Sequence, residues 1–447
     1  MDLTPYAETL ATLLKSRPFD AWEIMVSRSR DLTVEVKGGK LDAFRCAEPF
    51  GVAVRVQQGT GLGFSFSTAF DNTSLERMVD GAQVAARMQS QDPYFILPRP
   101  GPTLYPQLPD LYDPELGAVS ETQKIERALE LERRLLAQDP RLKRVRKCSY
   151  GESVYDTCLL NSHGMSASHR GSYVTMSVSA VAEADGAAQI GFDFGFSHRY
   201  TGLDPETIAQ GAGRRAIGLL GARPLATMHC PAVLTNYVAS QLLDVLSASF
   251  LAENVHKGKS LLAGRTGERI CASTLTIRDR GLLPDGMGTA PCDGEGVPQQ
   301  DTLLVREGVL QGFLYDSYWG NRMGHASTGN AVRGGIKGPP KLGVHNLCIE
   351  PGRLAPGALL EGIERGVLIT EVMGMHSANA ISGDFSVGAA GYYLEGGKVA
   401  FPVKGIAIAG NVMDLFGGVE AVADDLRFFS SVGSPSLRVA GLDISGT

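Results

Sequence analysis

The chain has 447 residues, 43% of them hydrophobic, and carries 42 Lys+Arg against 48 Asp+Glu for a formal charge of -6. That length exceeds what a single hydrophobic core usually serves, so two domains are expected, and the mild acidity argues against nucleic acid as a partner. No apolar run reaches the roughly 18 residues of a membrane span. The start, with Asp2 and Glu8 among its apolar residues and no basic leader, reads as that of a soluble cytoplasmic protein without a signal peptide.

In chain order, Leu3 to Leu14 reads as a short helix, followed by strand-like runs at Ala21 to Val26, Leu32 to Val36 and Leu41 to Phe44, with a hairpin turn at Lys37-Gly38-Gly39-Lys40. Gly51 to Val56 alternates strongly and turns at Gln58 to Gly61 into Leu62 to Phe66. Asp71 to Ser74 offer caps for a helix to about Met88, with Leu75, Met78, Val79, Ala82 and Ala85 on its apolar face. Pro93 to Pro114, crowded with prolines and tyrosines, suits an extended linker or clamp. Ser120 and Glu121 open an amphipathic helix through about Ala137, strands return from Lys143 to Arg199, and Asp204-Pro205-Glu206 caps a helix that ends near Gly221.

A boundary near residue 222 divides an N-terminal α/β domain of hairpins and helices (1–221) from a mostly β, Gly-rich C-terminal domain (222–447), an α+β chain overall. The second part has one conspicuous helix, about 236–255, apolar on more than one stripe, then hairpin signals at Arg306-Glu307-Gly308 and Leu394 to Lys398. No internal repeat is evident.

The chemistry in the sequence is sparse. Seven cysteines stand singly with no CxxC pair, which argues against a disulfide framework or a zinc ribbon. A helical zinc peptidase needs two histidines on one helix with a glutamate beside them, and no His-Glu pair occurs. The stretch Met373 to Ser386 gathers His376, Asp384 and Ser386, which could be imagined as the triad of a self-sufficient hydrolase, but proximity in sequence is not triad geometry, and a Gly-bounded turn held by Ser382 and Asp384 and anchored by Phe385 is the simpler reading. Asp293, Glu295 and Asp301 have the wrong spacing for a calcium loop and read as a solvated acidic turn. No cofactor is expected in this chain.

Taken together, several motifs resemble one family. His256 to Glu268 (HKGKSLLAGRTGE), Ser327-Thr328-Gly329-Asn330, Ile381 to Gly388 (ISGDFSVG), Tyr393 to Gly397, Phe401 to Lys404 and Ile408 to Asn411 follow the order of the PmbA/TldE branch of the TldD/TldE peptidases. That resemblance implies a subunit of a metallopeptidase complex that processes or degrades unfolded or modified peptides. Its TldD-type partner would carry zinc on an HExxxH motif, whereas Leu243, Asp244 and Ala248 stand at those positions here. The C-terminal stretch Arg427 to Arg438 also lacks the cysteine of TldD-type loops. The resemblance further implies a strand-rich cleft that holds an extended peptide through backbone hydrogen bonds, and a homodimer where no partner is present. His376, Ser382, Gly383, Asp384, Phe385, Ser386, Gly410 and Asn411 are the candidates for the cleft or the partner interface. The family's historical description as a modulator of DNA gyrase or of a toxin-antitoxin pathway supplies the alternative, a regulatory binding protein.

Overall fold

The computed structural model describes residues 2–446. Its first part contains two runs of elements. The first is α1 (Thr4–Lys15), β1 (Ala21–Lys37), β2 (Lys40–Ala47), β3 (Phe50–Gln58), β4 (Gly61–Ser67) and α2 (Asn72–Met88). The second is α3 (Glu121–Ala137), β5 (Leu142–Asn161), β6 (Ser166–Ala184), β7 (Ala187–Ser197) and α4 (Pro205–Gly218). They share one sheet in the order β4-β3-β1-β5-β6-β7, with β2 added beside the far half of β1. Every neighbouring pair is antiparallel, so this part is a helix-covered antiparallel sheet and not the βαβ arrangement that an α/β label implies.

Apart from β2, the two runs repeat one plan, helix, three strands, helix, and meet where β1 pairs with β5. The topology reveals an internal repeat that the residues do not. Even the closest packing recurs: a Cβ on Gly63 of β4 would lie 1.9 Å from the Ala82 carbonyl oxygen of α2, and one on Gly191 of β7 would lie 2.2 Å from that of Ala212 in α4. The units also interlock, because Glu132 of α3 accepts the Gly38 and Gly39 N–H groups of the β1–β2 turn, each at 2.8 Å.

The separate runs expected at Ala21 to Val26 and Leu32 to Val36 are one continuous strand, since β5 pairs with β1 without a break from Glu23 to Val36. Side chains alternate across a strand, and here parity sorts the sheet. Even-numbered Ile24, Val26, Val34, Val54, Tyr150, Val174 and Met176 are buried in the cores that the sheet shares with its helices. On α2 the buried stripe ends with Ala86, while Ala85 is only half-buried. On β1, β3, β5 and β6 the odd-numbered residues face the rest of the chain; the pairing offset reverses the parity on β4 and β7, where Gly63 and Gly191 face the helices. The connection from Pro93 to Pro114 acts as a clamp, with the Tyr105 hydroxyl donating to the Gly296 carbonyl at 2.9 Å.

Beyond residue 227 the strands Lys398–Asn411, Asp384–Glu395, Arg365–Met373, Met228–Leu234 and Leu437–Ser445 pair in that order, and the last pairs back onto the first, closing a barrel. A second six-stranded sheet includes Ile277–Arg280, Asp301–Arg306 and Leu347–Ile349. The helix expected over 236–255 is shorter: α5 spans Asn236–Ser247, a 3-10 turn covers Ala248–Phe250, Leu251 is extended and a separate turn of helix covers Ala252–His256. Serine explains the break. Ser247 Oγ bonds back to the Asp244 carbonyl at 2.6 Å, and the Asn254 amide takes the Ala248 carbonyl at 2.7 Å, so local side chains replace the helical ladder. No helix among the described residues is long and apolar enough to cross a membrane.

Candidate functional site

The odd-numbered face of the sheet forms the floor of a cleft of about 740 Å³, roofed by the loop around Met287 to Cys292, by Arg333 to Gly335 and by His345. Hydroxyl groups dominate the floor: Ser27 and Ser29 on β1, Ser153, Tyr155 and Thr157 on β5. Its carboxylate, Asp31, accepts from Ser29 Oγ at 3.0 Å and Ser153 Oγ at 2.5 Å. The Tyr155 ring stands edge-on to His169, centroids 6.1 Å apart, and needs glycine opposite it, because a Cβ on Gly171 would lie 2.3 Å from its hydroxyl. Burial raises the Tyr155 phenol and lowers the His169 imidazole, so both are uncharged at neutral pH. A floor of hydroxyls around one carboxylate, interspersed with Met25, Leu159 and Ala167, offers hydrogen bonds to amide groups such as those of a peptide. The sheet offers the cleft its face and not an edge, so the polar groups of the floor are side chains.

At one end of the cleft four buried ions join the sheet to the C-terminal part. Glu23 of β1 and Arg55 of β3 are direct cross-strand neighbours. Glu23 accepts from Arg55 Nε at 2.9 Å and Arg333 Nη2 at 2.6 Å, while Arg55 Nη1 reaches Glu295 at 2.8 Å. Two guanidiniums meet two carboxylates, which is the balance a low-dielectric site requires. Burial works to raise the Glu23 carboxyl, but Arg55 and Arg333 together outweigh it and hold it below the ordinary range. Asp293 receives backbone N–H groups from Glu295, Val297 and Ala331, yet burial and the Glu295 charge push it up to about 8. Asp293 and Glu295 are thus each only 5% exposed, and the solvated acidic turn expected from the sequence is a buried junction. A sequence signal existed: Glu23 and Arg55 are lone charges inside strongly apolar strands, where a charge needs a partner.

The residues singled out from the sequence lie elsewhere, at one end of the barrel. Ser382 Oγ donates to Asp384 at 2.7 Å, the Asn411 amide donates to Asp384 at 2.9 Å and to the Ser382 carbonyl at 2.8 Å, and Asn411 Oδ1 caps the helix Val412–Gly417. These bonds to Asn411 and Ser382 keep the Asp384 carboxyl low. Gly383 has φ +82°, and the buried Phe385 ring packs against Gly410. His376 and Ser386 are exposed, and the Asp384 carboxylate is bonded to Ser382 and Asn411 and not to His376. Ser382, Gly383, Asp384, Phe385, Gly410 and Asn411 are therefore brought together as a turn lock, without the Asp-to-His hydrogen bond of a triad.

On α5, Leu243 is fully buried in the main core, Asp244 is exposed and Ala248 is the C-terminal cap. Leu243 and Ala248 have no donor atom for a metal, and among the described residues no three His, Cys, Asp or Glu side chains converge as a ligand set. The residues present do not fit the catalytic zinc of a peptidase.

A helix-covered antiparallel sheet joined to a closed barrel, with a cleft of about 740 Å³ on the sheet's open face, defines the structural class of the chain. Its fold is similar to that of TldE from Thermococcus kodakarensis, with a TM-score of 0.91 and 26% identity over 99% of this chain and 100% of that one. Family models described as PmbA/TldA metallopeptidase domain 1, central domain and C-terminal domain match residues 22–86, 114–220 and 227–446. The chain belongs to the PmbA/TldD metallopeptidase family. It is 28% identical to the metalloprotease PmbA of Escherichia coli O157:H7 over 98% of this chain and 95% of that protein. A TldD homologue of Haemophilus influenzae is 24% identical over 89% of this chain and 87% of its own length.

Proposed function

We propose that this chain is a PmbA/TldE-type subunit that pairs with a zinc-bearing TldD-type chain in the cytoplasm and supplies one wall of a cleft for unfolded or modified peptides. The observation that carries this reading is the contrast between a peptide-sized, hydroxyl-floored cleft and a helix α5 whose Leu243 and Ala248 cannot ligate a metal. The chain then contributes binding and orientation, and the partner contributes the metal that activates water. The turn from Met373 to Ser386, where Met373 and Ile381 are 55% and 52% exposed, is the proposed contact with the partner, together with Gly410 and Asn411. Without that partner the same apolar surface favours a homodimer.

The test is to measure zinc content and peptide hydrolysis for the purified chain, for a TldD-type chain and for their mixture. Activity that appears or rises several-fold only in the mixture, in a complex that elutes as one species, supports the proposal. One zinc per molecule and peptide cleavage by the isolated chain overturn it.

A further inference from the structure

A second cavity, of about 550 Å³, opens on the far side of the ion network, between β4, the start of the clamp and the helix Ser317–Met323. Aromatic rings form its walls. Phe95 stacks on Tyr318 with centroids 4.6 Å apart, Tyr318 meets Trp319 edge-on at 4.8 Å, and Phe64 lies on the β4 side. Asp316, only 7% exposed, lines the same space. Its Oδ1 accepts the Trp319 N–H at 2.8 Å and so caps the helix, while its Oδ2 has no hydrogen-bond partner among the described residues.

Of the nearby cations, Lys341 lines the cavity as an exposed side chain that makes no hydrogen bond to Asp316, and the others are committed elsewhere. Arg55 spends its guanidinium on Glu23 and Glu295, and Lys257 is paired with Glu253. Asp316 is left as a nearly buried carboxyl, with Glu253 and Glu295 lining the same cavity. Burial and Glu295 push it up to about 7, which marks a place where a positive charge is missing. Aromatic faces attract cations, best when water is excluded, and a carboxylate beside them adds a counter-charge. Hard metal ions prefer several oxygen ligands, and no such set converges here.

We infer that this cavity is a binding site for an organic cation, an ammonium or guanidinium group, with Asp316 as its counter-ion and Phe95, Tyr318 and Trp319 as its walls. The inference goes beyond the paired-subunit reading and does not depend on it.

Calorimetric titration of the full chain with Nα-acetyl-lysine amide and with its uncharged analogue Nα-acetyl-norleucine amide tests the site. The lysine ligand is expected to bind at least about 10-fold more tightly. The preference should vanish in Asp316→Asn, which keeps an oxygen to cap the Trp319 N–H. Equal affinity for the two ligands, no binding of either at millimolar concentration, or a lysine preference that survives in a folded Asp316→Asn protein overturns the inference. Should that variant fail to fold, Phe95→Leu, which removes one wall, must weaken the lysine ligand more than the norleucine ligand. Two more ligands identify the source of the cation, and each outcome supports the site: tighter binding of a lysine-centred pentapeptide than of n-pentylamine points to a peptide side chain, and the reverse points to a free amine.

Discussion

Replacing Glu23 by Gln keeps the shape of a side chain that is 1% exposed but leaves Arg55 and Arg333 facing a single carboxylate, Glu295. Removing one partner of a buried ion pair costs about 3–5 kcal/mol, because the remaining charge is neither solvated nor neutralised. The Gln carbonyl can still accept one N–H, so the expected loss is about 3 kcal/mol, at the lower end of that range. The assay is urea unfolding followed by tryptophan fluorescence, with Trp22 adjacent to Glu23 and Trp319 beyond Arg55 and Glu295 as reporters. A second change, Arg333→Met, restores charge balance and should recover a large part of the loss, so the two substitutions must be strongly non-additive. The folded-state carboxyl of Glu23 lies below its unfolded value, so its stabilisation is present above the unfolded carboxylate pKa and is lost as pH falls through the folded one. The gap between wild type and Glu23→Gln should therefore narrow in acid. A loss under about 1 kcal/mol, or a double variant as unstable as the sum of the singles, would refute the argument that the network is held by charge balance.

Asp316, pushed up to about 7, holds a proton in the folded state that the unfolded chain has released, so stability should fall as pH rises from about 4 to 7. Asp316→Asn should reduce that slope, leaving the part that Asp293, also raised, contributes, in thermal melts recorded across the range without ligand. Gly63→Ala and Gly191→Ala each force a methyl into helix backbone, at 1.9 Å and 2.2 Å from carbonyl oxygens, and each should cost about 3 kcal/mol or prevent folding. Soluble yield and unfolding midpoint report it. Leu243→His puts an imidazole into the main core and should destabilise by about 2–5 kcal/mol. Elemental analysis of the same variant should still find no bound zinc, since one histidine does not make a ligand set.

Local signals in the sequence were read well where their mechanism is local. Asp71 caps α2 through the Ser74 N–H, Ser120 and Gln123 form a capping box, and Glu307-Gly308 and Gly396-Gly397 turn with positive φ. The full length of β1 was hidden because Arg28 to Asp31 interrupt its apolar alternation; pairing along β5, a tertiary effect, carries the strand through them. The cleft was hidden for a related reason. Ser27, Ser29 and Asp31 look like the solvent face of an amphipathic strand, and only the segments around Met287 to Cys292 and Arg333 to Gly335 lying over them turn that face into a floor. Asp293 and Glu295 were misread because their partners, the Arg55 guanidinium and the Ala331 N–H, stand far away along the chain, as does Arg333, which bonds the Gly294 carbonyl between them. The turn at Ser382 to Asp384 was legible from its Gly, Ser and Asp.

The repeated plan of the first sheet has a consequence for the nascent chain. Residues 4–88 complete a unit of local hairpins and helices before β5, which begins at Leu142, has been synthesised. One side of β1 is then satisfied by β3 and β2, but the side from Glu23 to Val36 waits for β5 with its backbone groups unpaired. A long bare edge invites pairing with another nascent copy. Arg28, Arg30, Asp31 and Glu35 make that edge charged and well hydrated in place of apolar, which disfavours its pairing with another copy. The interruption that obscures the strand in the sequence thus guards it on the ribosome, and Glu132, by seizing the Gly38 and Gly39 amides when α3 arrives, fixes the second unit against the first.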